Sequence, residues 1–116
     1  MAVKRIVRNV AIADPKATIA FYGDILKLEL AMDMGWIVTF TGGTQSAPQI
    51  SFMSEGGSGT SVPDISIEVD DFEAVLVRIK DAGITIEYGP VDEPWGVRRC
   101  YVRDPAGQLV NILTHV

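Results

Sequence analysis

Polar side chains of the kind that bind small molecules share one face of a predicted hairpin near the end of the chain. Residues 97–103 and 108–114 read as two strands joined by an Asp-Pro-Ala-Gly turn, in which Gly107 can adopt a positive φ. Alternation places Arg99, Tyr101 and Asn111 on the same face. An arginine, a phenol and a carboxamide on one sheet face indicate a polar-lined pocket.

The opposite face of the hairpin is small and apolar, and we expect it to lie under a helix. It consists of Cys100, Val102, Val110 and Ile112. Cys100 is therefore predicted to be a packed, inert thiol. His115 is the only histidine, and its place next to the terminus favours an exposed strand-end residue over a general base.

Each candidate side chain on the polar face has two interpretations. Arg99 could clamp a carboxylate or phosphate through two hydrogen bonds, or it could neutralise Asp64 or Glu68, which alternation brings to the same face from another strand. If buried, one of these two carboxylates could have a raised pKa and act as a base. Trp95, between a proline and a glycine, could stack on a flat ligand or seal the base of the hairpin.

Composition excludes several classes of protein. The chain has 116 residues, which favours one domain, and its net charge of −5 disfavours a nucleic-acid partner. One cysteine allows no internal disulfide, and the sequence shows neither a signal-peptide core nor an apolar run of membrane length. We expect a cytoplasmic protein that does not bind membranes.

The polar face belongs to a pattern that occurs twice along the chain. Each half reads as strand, helix and three strands, which indicates a duplication. The halves span about 1–54 and 62–116 and are joined by a glycine-rich linker at 55–61, expected to be flexible. Asp14 and Asp71 begin the two predicted helices, and Asp70 with Glu73 forms a predicted capping box. The first predicted helix carries an apolar stripe formed by Ile19, Tyr22, Ile25 and Leu26, and the first half has predicted strands at 6–13, 28–32, 36–40 and 49–53.

This pattern predicts an α+β fold in which two tandem βαβββ modules form a curved mixed sheet with helices on its outer face and a cup inside. The modules pair within the chain or across a dimer. We expect a homodimer, because four-stranded half-sheets leave edges that need covering. Alternation leaves open whether Trp36, Val38 and Phe40 face the cup. The residues predicted to bind a ligand there are Asn9, Trp36, Ser51, Asp64, Glu68, Trp95, Arg99, Tyr101 and Asn111.

Two segments carry a resemblance to a known family. The duplicated module, the segment ADPKATIAFYGDILKL and the segment VRDPAGQLVNIL resemble the vicinal oxygen chelate superfamily, which includes glyoxalase I, bleomycin-binding proteins and extradiol dioxygenases. The resemblance implies a glyoxalase-like fold over the whole chain. It also implies that metal-using members carry ligands, usually histidine and glutamate, on the first and last strands of each module.

The ligand positions that the resemblance implies in this chain are Val7, Ser51, Asp64 and Asn111. An alkyl group, a hydroxyl, one carboxylate and one carboxamide suit a transition metal poorly, although they could hold a hard cation weakly. We therefore predict a metal-free protein that binds a small anionic or aromatic molecule. The alternative is an enzyme, either a metal-dependent lyase or dioxygenase or one using acid–base chemistry by Asp64, Glu68 and Tyr101. A dimerisation domain without a ligand would not explain so many polar groups in the cup.

Overall fold

The computed structural model describes residues 12–34, 36, 38–41 and 54–116. None of the helices in these ranges has the length and apolar character needed to cross a membrane. The elements, in chain order, are α1 (Pro15–Ile19), which continues as a π-helical stretch (Ala20–Ile25), β1 (Glu29–Asp33), β2 (Val38–Thr41), β3 (Ile65–Glu68), α2 (Phe72–Asp81), β4 (Ile86–Glu93), β5 (Val97–Arg103) and β6 (Leu109–His115).

Both helices begin at an aspartate that caps the first turn. The carboxylate of Asp14 accepts a hydrogen bond from the backbone N–H of Lys16 at 3.0 Å, and that of Asp71 accepts one from Ala74 at 3.1 Å. These side chains satisfy amide groups that have no partner within the helix. The predicted capping box was wrong, because Asp71 and not Asp70 is the N-cap.

The second half of the chain forms a complete βαβββ module. Its four strands lie in the order β3-β6-β5-β4, with β3 parallel to β6 and the other pairs antiparallel. In the first half, β1 and β2 pair antiparallel after the first helix. The predicted strand at 49–53, and that at 6–13 apart from its last two residues, lie outside the described residues, so the pairing of the modules stays a prediction.

The core lies between α2 and one face of the second sheet. The buried side of α2 packs on the apolar face of the hairpin, as predicted, and the π-helical stretch adds Phe21, Ile25 and Leu26 to the same cluster. The predicted stripe of the first helix was partly wrong: Phe21 is 2% exposed, whereas Ile19 is only half-buried. A π-helical turn inserts one extra residue, so the buried face moves relative to the i, i+3, i+4 pattern of an α-helix. The cluster's remaining members are Phe72, Val75, Leu76, Ile79, Cys100, Val102, Val110 and Ile112.

The Asp-Pro-Ala-Gly turn holds the first helix against the second module. The buried carboxylate of Asp104 accepts hydrogen bonds from the N–H groups of Ala106 and Gln108 at 2.9 and 2.8 Å and from the phenol of Tyr22 at 2.8 Å. Gly107 has the positive φ, 83°, that the turn was predicted to need. The turn was therefore predicted correctly from the sequence, and it fixes the register of β5 and β6.

Candidate functional site

A cavity of about 320 Å³ opens on the face of the second sheet opposite α2. This is the polar face of the hairpin that the alternation identified, because Arg99 and Asn111 contribute to the cavity while Cys100 and Ile112 lie in the core. The cavity is lined by Glu55, Gly56, Gly57, Pro63, Ser66, Trp95, Arg99 and Asn111.

The predicted site residues divide into four groups. Trp95, Arg99 and Asn111 line the cavity, and Tyr101 contacts Arg99 directly behind it. Trp36 lies in the connection between β1 and β2, where it is 77% exposed, and it does not line this cavity. Asp64 and Glu68 are exposed and bonded elsewhere. The remaining two, Asn9 and Ser51, lie outside the described residues.

Arg99 is buried, contacts several other residues and forms an ion pair with Glu93. Its Nε and Nη2 lie 2.9 and 2.6 Å from Oε2 of Glu93, and the two residues are 3% and 7% exposed. The predicted pairing of Arg99 with Asp64 or Glu68 was therefore wrong. Glu93 was not identified from the sequence because Gly89 and Pro90 are typical of the end of a strand, whereas β4 continues through two register shifts to Glu93.

The remaining N–H groups of Arg99 bind the protein itself. Nη1 donates to the carbonyl of Gly56 at 2.8 Å and to the phenol of Tyr101 at 3.0 Å, and Nη2 donates to the carbonyl of Gly57 at 3.3 Å. With the two contacts to Glu93, these account for all five N–H groups of a guanidinium. A ligand carboxylate could engage Arg99 only by displacing one of these partners.

Three aromatic rings enclose the same guanidinium. Its central carbon lies 5.1 Å from the ring centre of Trp95, 5.3 Å from that of Tyr88 and 5.0 Å from that of Tyr101. At these distances each ring attracts the cation. Trp95 thus covers Arg99, and its 50% exposure leaves part of the indole on the cavity wall, where stacking on a flat ligand stays a prediction.

The stretch predicted to be a flexible linker is a hydrogen-bonded loop that forms the cavity rim. The N–H of Gly56 donates to the carbonyl of Thr60 at 2.9 Å, and the N–H of Thr60 donates to the carbonyl of Gly57 at 3.0 Å. The hydroxyl of Thr60 lies 2.9 Å from the phenol of Tyr101, and Ser58 donates to Glu93 at 3.2 Å. Arg99, through Gly56 and Gly57, fixes this loop to the sheet.

Asp64 and Glu68 do not join this network. Oδ2 of Asp64 accepts a hydrogen bond from the N–H of Leu109 at 2.7 Å, which caps the start of the β3–β6 pair. Oε2 of Glu68 lies 2.9 Å from Nδ1 of His115, and both side chains are more than half exposed. His115 is thus an exposed strand-end residue, as predicted. The described geometry gives no support to joint acid–base chemistry by the two carboxylates.

Asn111 carries an unsatisfied group at the cavity. Its side chain is 7% exposed, and Nδ2 donates to the hydroxyl of Ser66 at 3.1 Å. The carbonyl oxygen, Oδ1, is buried without a hydrogen-bond partner among the residues that the structure describes. A buried acceptor without a partner is costly and is rare in folded proteins, which indicates a missing donor. Ser66, not singled out from the sequence, lies on the same strand face as Asp64 and Glu68.

The donor set around Asn111 does not fit a transition metal. The residue opposite Asn111 on β3 is Ser66, and the described residues contain no group of three or more histidine, cysteine, aspartate or glutamate side chains placed to hold a metal ion. A hydroxyl and a carboxamide are weak ligands for zinc, nickel or iron. Of the other implied positions, Asp64 offers one carboxylate, which accepts a hydrogen bond from the N–H of Leu109. Val7 and Ser51 lie outside the described residues and offer an alkyl group and a hydroxyl.

Cys100 contributes to packing. It is fully buried in the core, as expected from its face of the hairpin. Burial raises the pKa of its thiol to about 11, against a smaller opposing effect of the nearby Arg98 cation. The thiol is therefore protonated at neutral pH, and a thiol in that state is a poor nucleophile.

Solved structures similar to this chain share its fold. An antibiotic-binding protein from Streptomyces sp. CB03234, TnmS3, is 18% identical with a TM-score of 0.72 over 100% of this chain and 99% of its own. A lactoylglutathione lyase from Agrobacterium tumefaciens is 21% identical with a TM-score of 0.63 over 97% and 95%. A virulence protein from Salmonella typhimurium is 26% identical with a TM-score of 0.62 over the full length of both chains.

The family comparison covers nearly the whole sequence. No curated protein matches the chain. A family model does match, over residues 3–112. Together with the α+β architecture and the βαβββ module, this match shows that the chain belongs to the glyoxalase/bleomycin resistance protein/dioxygenase superfamily.

Proposed function

We propose that the chain binds a small organic molecule in the 320 Å³ cavity, without a metal ion. The observation that carries the proposal is Oδ1 of Asn111, a buried acceptor that belongs to a cavity-lining residue and lacks a donor within the described part of the chain. A ligand donor would satisfy it. The structural likeness to an antibiotic-binding protein supports a small organic ligand.

The charges around the cavity favour a neutral or aromatic ligand over an anionic one. Arg99 supplies a positive charge, but Glu93 neutralises it and all its N–H groups have partners. Glu55, on the cavity rim, adds a carboxylate that would repel an anion. The exposed half of Trp95 offers a flat apolar surface on which a ring could stack.

The first prediction concerns metal. Purified protein should contain no stoichiometric zinc, nickel, iron or manganese, and chelator should leave its melting temperature unchanged, because the donor set near Asn111 is weak. A screen of uncharged aromatic compounds should instead find ligands that raise the melting temperature. A ligand at a hundred times its Kd adds about 2.7 kcal/mol to the free energy of unfolding. Near-stoichiometric metal that chelator removes, with loss of stability, would contradict the proposal.

We also propose that the chain forms a homodimer through the region of β1. Exposed apolar side chains run along β1 and the connection after it: Leu30, Met32, Met34 and Trp36 are 44%, 40%, 58% and 77% exposed. Adjacent exposed apolar groups of this kind mark interaction surfaces.

The second prediction tests this surface. Wild-type protein should show a dimer mass by light scattering at high micromolar concentration, and Trp36→Ser with Met34→Ser should shift it towards the monomer. The control is Val77→Ser on the outside of α2, where a single exposed apolar residue is removed (57% exposed in the wild type) and the dimer should persist. A monomeric wild-type protein, or a dimer that survives both β1-region substitutions, would refute this interface.

A further inference from the structure

We infer that the ligand presents an N–H donor and a carbonyl acceptor side by side, as a cyclic amide (lactam) does. This inference rests on the proposed function, since it assigns a chemical class to the molecule bound in the same cavity. It comes from the pair Asn111 and Ser66, whose side chains meet on the cavity wall.

The two side chains together offer one acceptor and one donor. Oδ1 of Asn111 lacks a partner among the described residues. Nδ2 of Asn111 donates to Oγ of Ser66 at 3.1 Å, so the serine oxygen acts as an acceptor there and its own hydrogen stays available to donate. The adjacent N–H and C=O of a lactam would bind Oδ1 and this hydroxyl in turn. Both bonds are neutral, so the ligand needs no charge.

Other features of the cavity agree with a flat, uncharged molecule. A volume of about 320 Å³ lies at the small end of ligand pockets, which suits one or two fused rings. Trp95 offers an aromatic surface on the wall, whereas the cation of Arg99 is already paired with Glu93. Glu55 accepts a hydrogen bond from the N–H of Gly59 at 3.1 Å and so holds the loop.

The test compares 2-quinolinone with 1-methyl-2-quinolinone, which lacks the N–H, and with quinoline-2-carboxylate, which adds a negative charge. Binding is measured by calorimetry on the full chain. We expect 2-quinolinone to bind, N-methylation to weaken binding at least about tenfold because Oδ1 is left unpaired, and the carboxylate to bind no better than the methylated compound.

Substitutions at Asn111 and Ser66 test whether these two side chains cause the differences in affinity. In Asn111→Leu the ratio of affinities between the two quinolinones should fall to about one, since this variant has no Oδ1 acceptor for the N–H of 2-quinolinone. Ser66→Ala should weaken both quinolinones several-fold, because both keep the carbonyl group. The control is Ser61→Ala, which removes an exposed hydroxyl just outside the cavity lining and should leave all affinities unchanged. If Asn111→Leu does not fold, the ratio in the wild type still decides.

The outcomes separate this inference from the proposed function. Equal binding of the two quinolinones, or preference for the carboxylate, would overturn the lactam inference and leave a binding cavity in place. Equal binding would also mean that Asn111 turns its N–H groups and not Oδ1 to the ligand. Failure of both quinolinones while other screened aromatic compounds bind would overturn the lactam inference alone. Failure of every compound in the screen would overturn both.

Discussion

Replacing Arg99 by alanine should lower the free energy of unfolding by about 3–5 kcal/mol, the usual cost of removing one partner of a buried ion pair. Glu93, 7% exposed, would then be a buried charge without its cation, and the carbonyls of Gly56 and Gly57 would lose their donors. Urea denaturation followed by circular dichroism measures the loss. Glu93→Gln should also destabilise, because it leaves the guanidinium buried without a counter-ion.

The neighbouring arginine provides the matched control. Arg98 pairs with Glu73 at 2.8 Å and with Asp92 at 3.4 Å, but both carboxylates are about 70% exposed. Surface pairs of this kind contribute about 0–1 kcal/mol, so Arg98→Ala should cost far less than Arg99→Ala. If instead Arg99→Ala were as stable as the control and lost affinity for an anionic ligand, Arg99 would be a ligand clamp and the structural role assigned to it would be wrong.

The sequence predicted the hairpin well because local chemistry determines it. The turn at 104–107 needs an aspartate that binds nearby amides and a glycine with positive φ, and both residue types are visible in the sequence. Strict alternation then separates Cys100 and Val102 from Arg99 and Tyr101. For the same reason Asp71 could be placed at a helix start, since a carboxylate before an apolar helical pattern is a cap signal.

The counter-ion of Arg99 could not be predicted because it depends on strand pairing. Gly89 and Pro90 are typical breakers, and the sequence alone gives no sign that β4 continues past them through register shifts to Glu93. A register shift changes which face a side chain occupies, so alternation counted along the chain before Gly89 does not give the face of Glu93. The same limit applies to Trp36, whose face could not be decided from alternation.

The prediction of a flexible linker at 55–61 was wrong because the loop is held through its backbone carbonyls. A glycine-rich composition is typical of flexible linkers, and nothing in it reveals that Gly56 and Gly57 accept hydrogen bonds from a buried guanidinium. These glycines also allow close approach: a Cβ at Gly57 would lie 2.6 Å from the indole of Trp95. The loop and Arg99 therefore form one structural unit, and the shape of the cavity depends on Arg99 even though Arg99 is not free to bind a ligand.

Because the loop and Arg99 are bonded together, we expect Gly56→Ala to be far more damaging than alanine at Gly59 of the same loop. A Cβ at Gly56 would collide with the backbone carbonyl of Ser61 and would lie 2.5 Å from both the hydroxyl of Thr60 and the phenol of Tyr101. The loop would have to move, and the bond from Arg99 to the Gly56 carbonyl would be lost. Overpacking and the loss of a hydrogen bond to a charged group together suggest a cost of about 3 kcal/mol.

Gly59→Ala is the matched control for this substitution. Gly59 lies three residues away in the same loop with a φ of +75°, and a Cβ there would meet nothing within 4 Å. Its cost is only that of a left-handed conformation, about 1–2 kcal/mol, and the cavity wall should keep its shape. Gly56→Ala should therefore weaken binding of a cavity ligand at least about tenfold, whereas Gly59→Ala should leave affinity unchanged. Equal stabilities and equal affinities of the two variants would mean that the loop is not held by Arg99 and does not form the wall of the site.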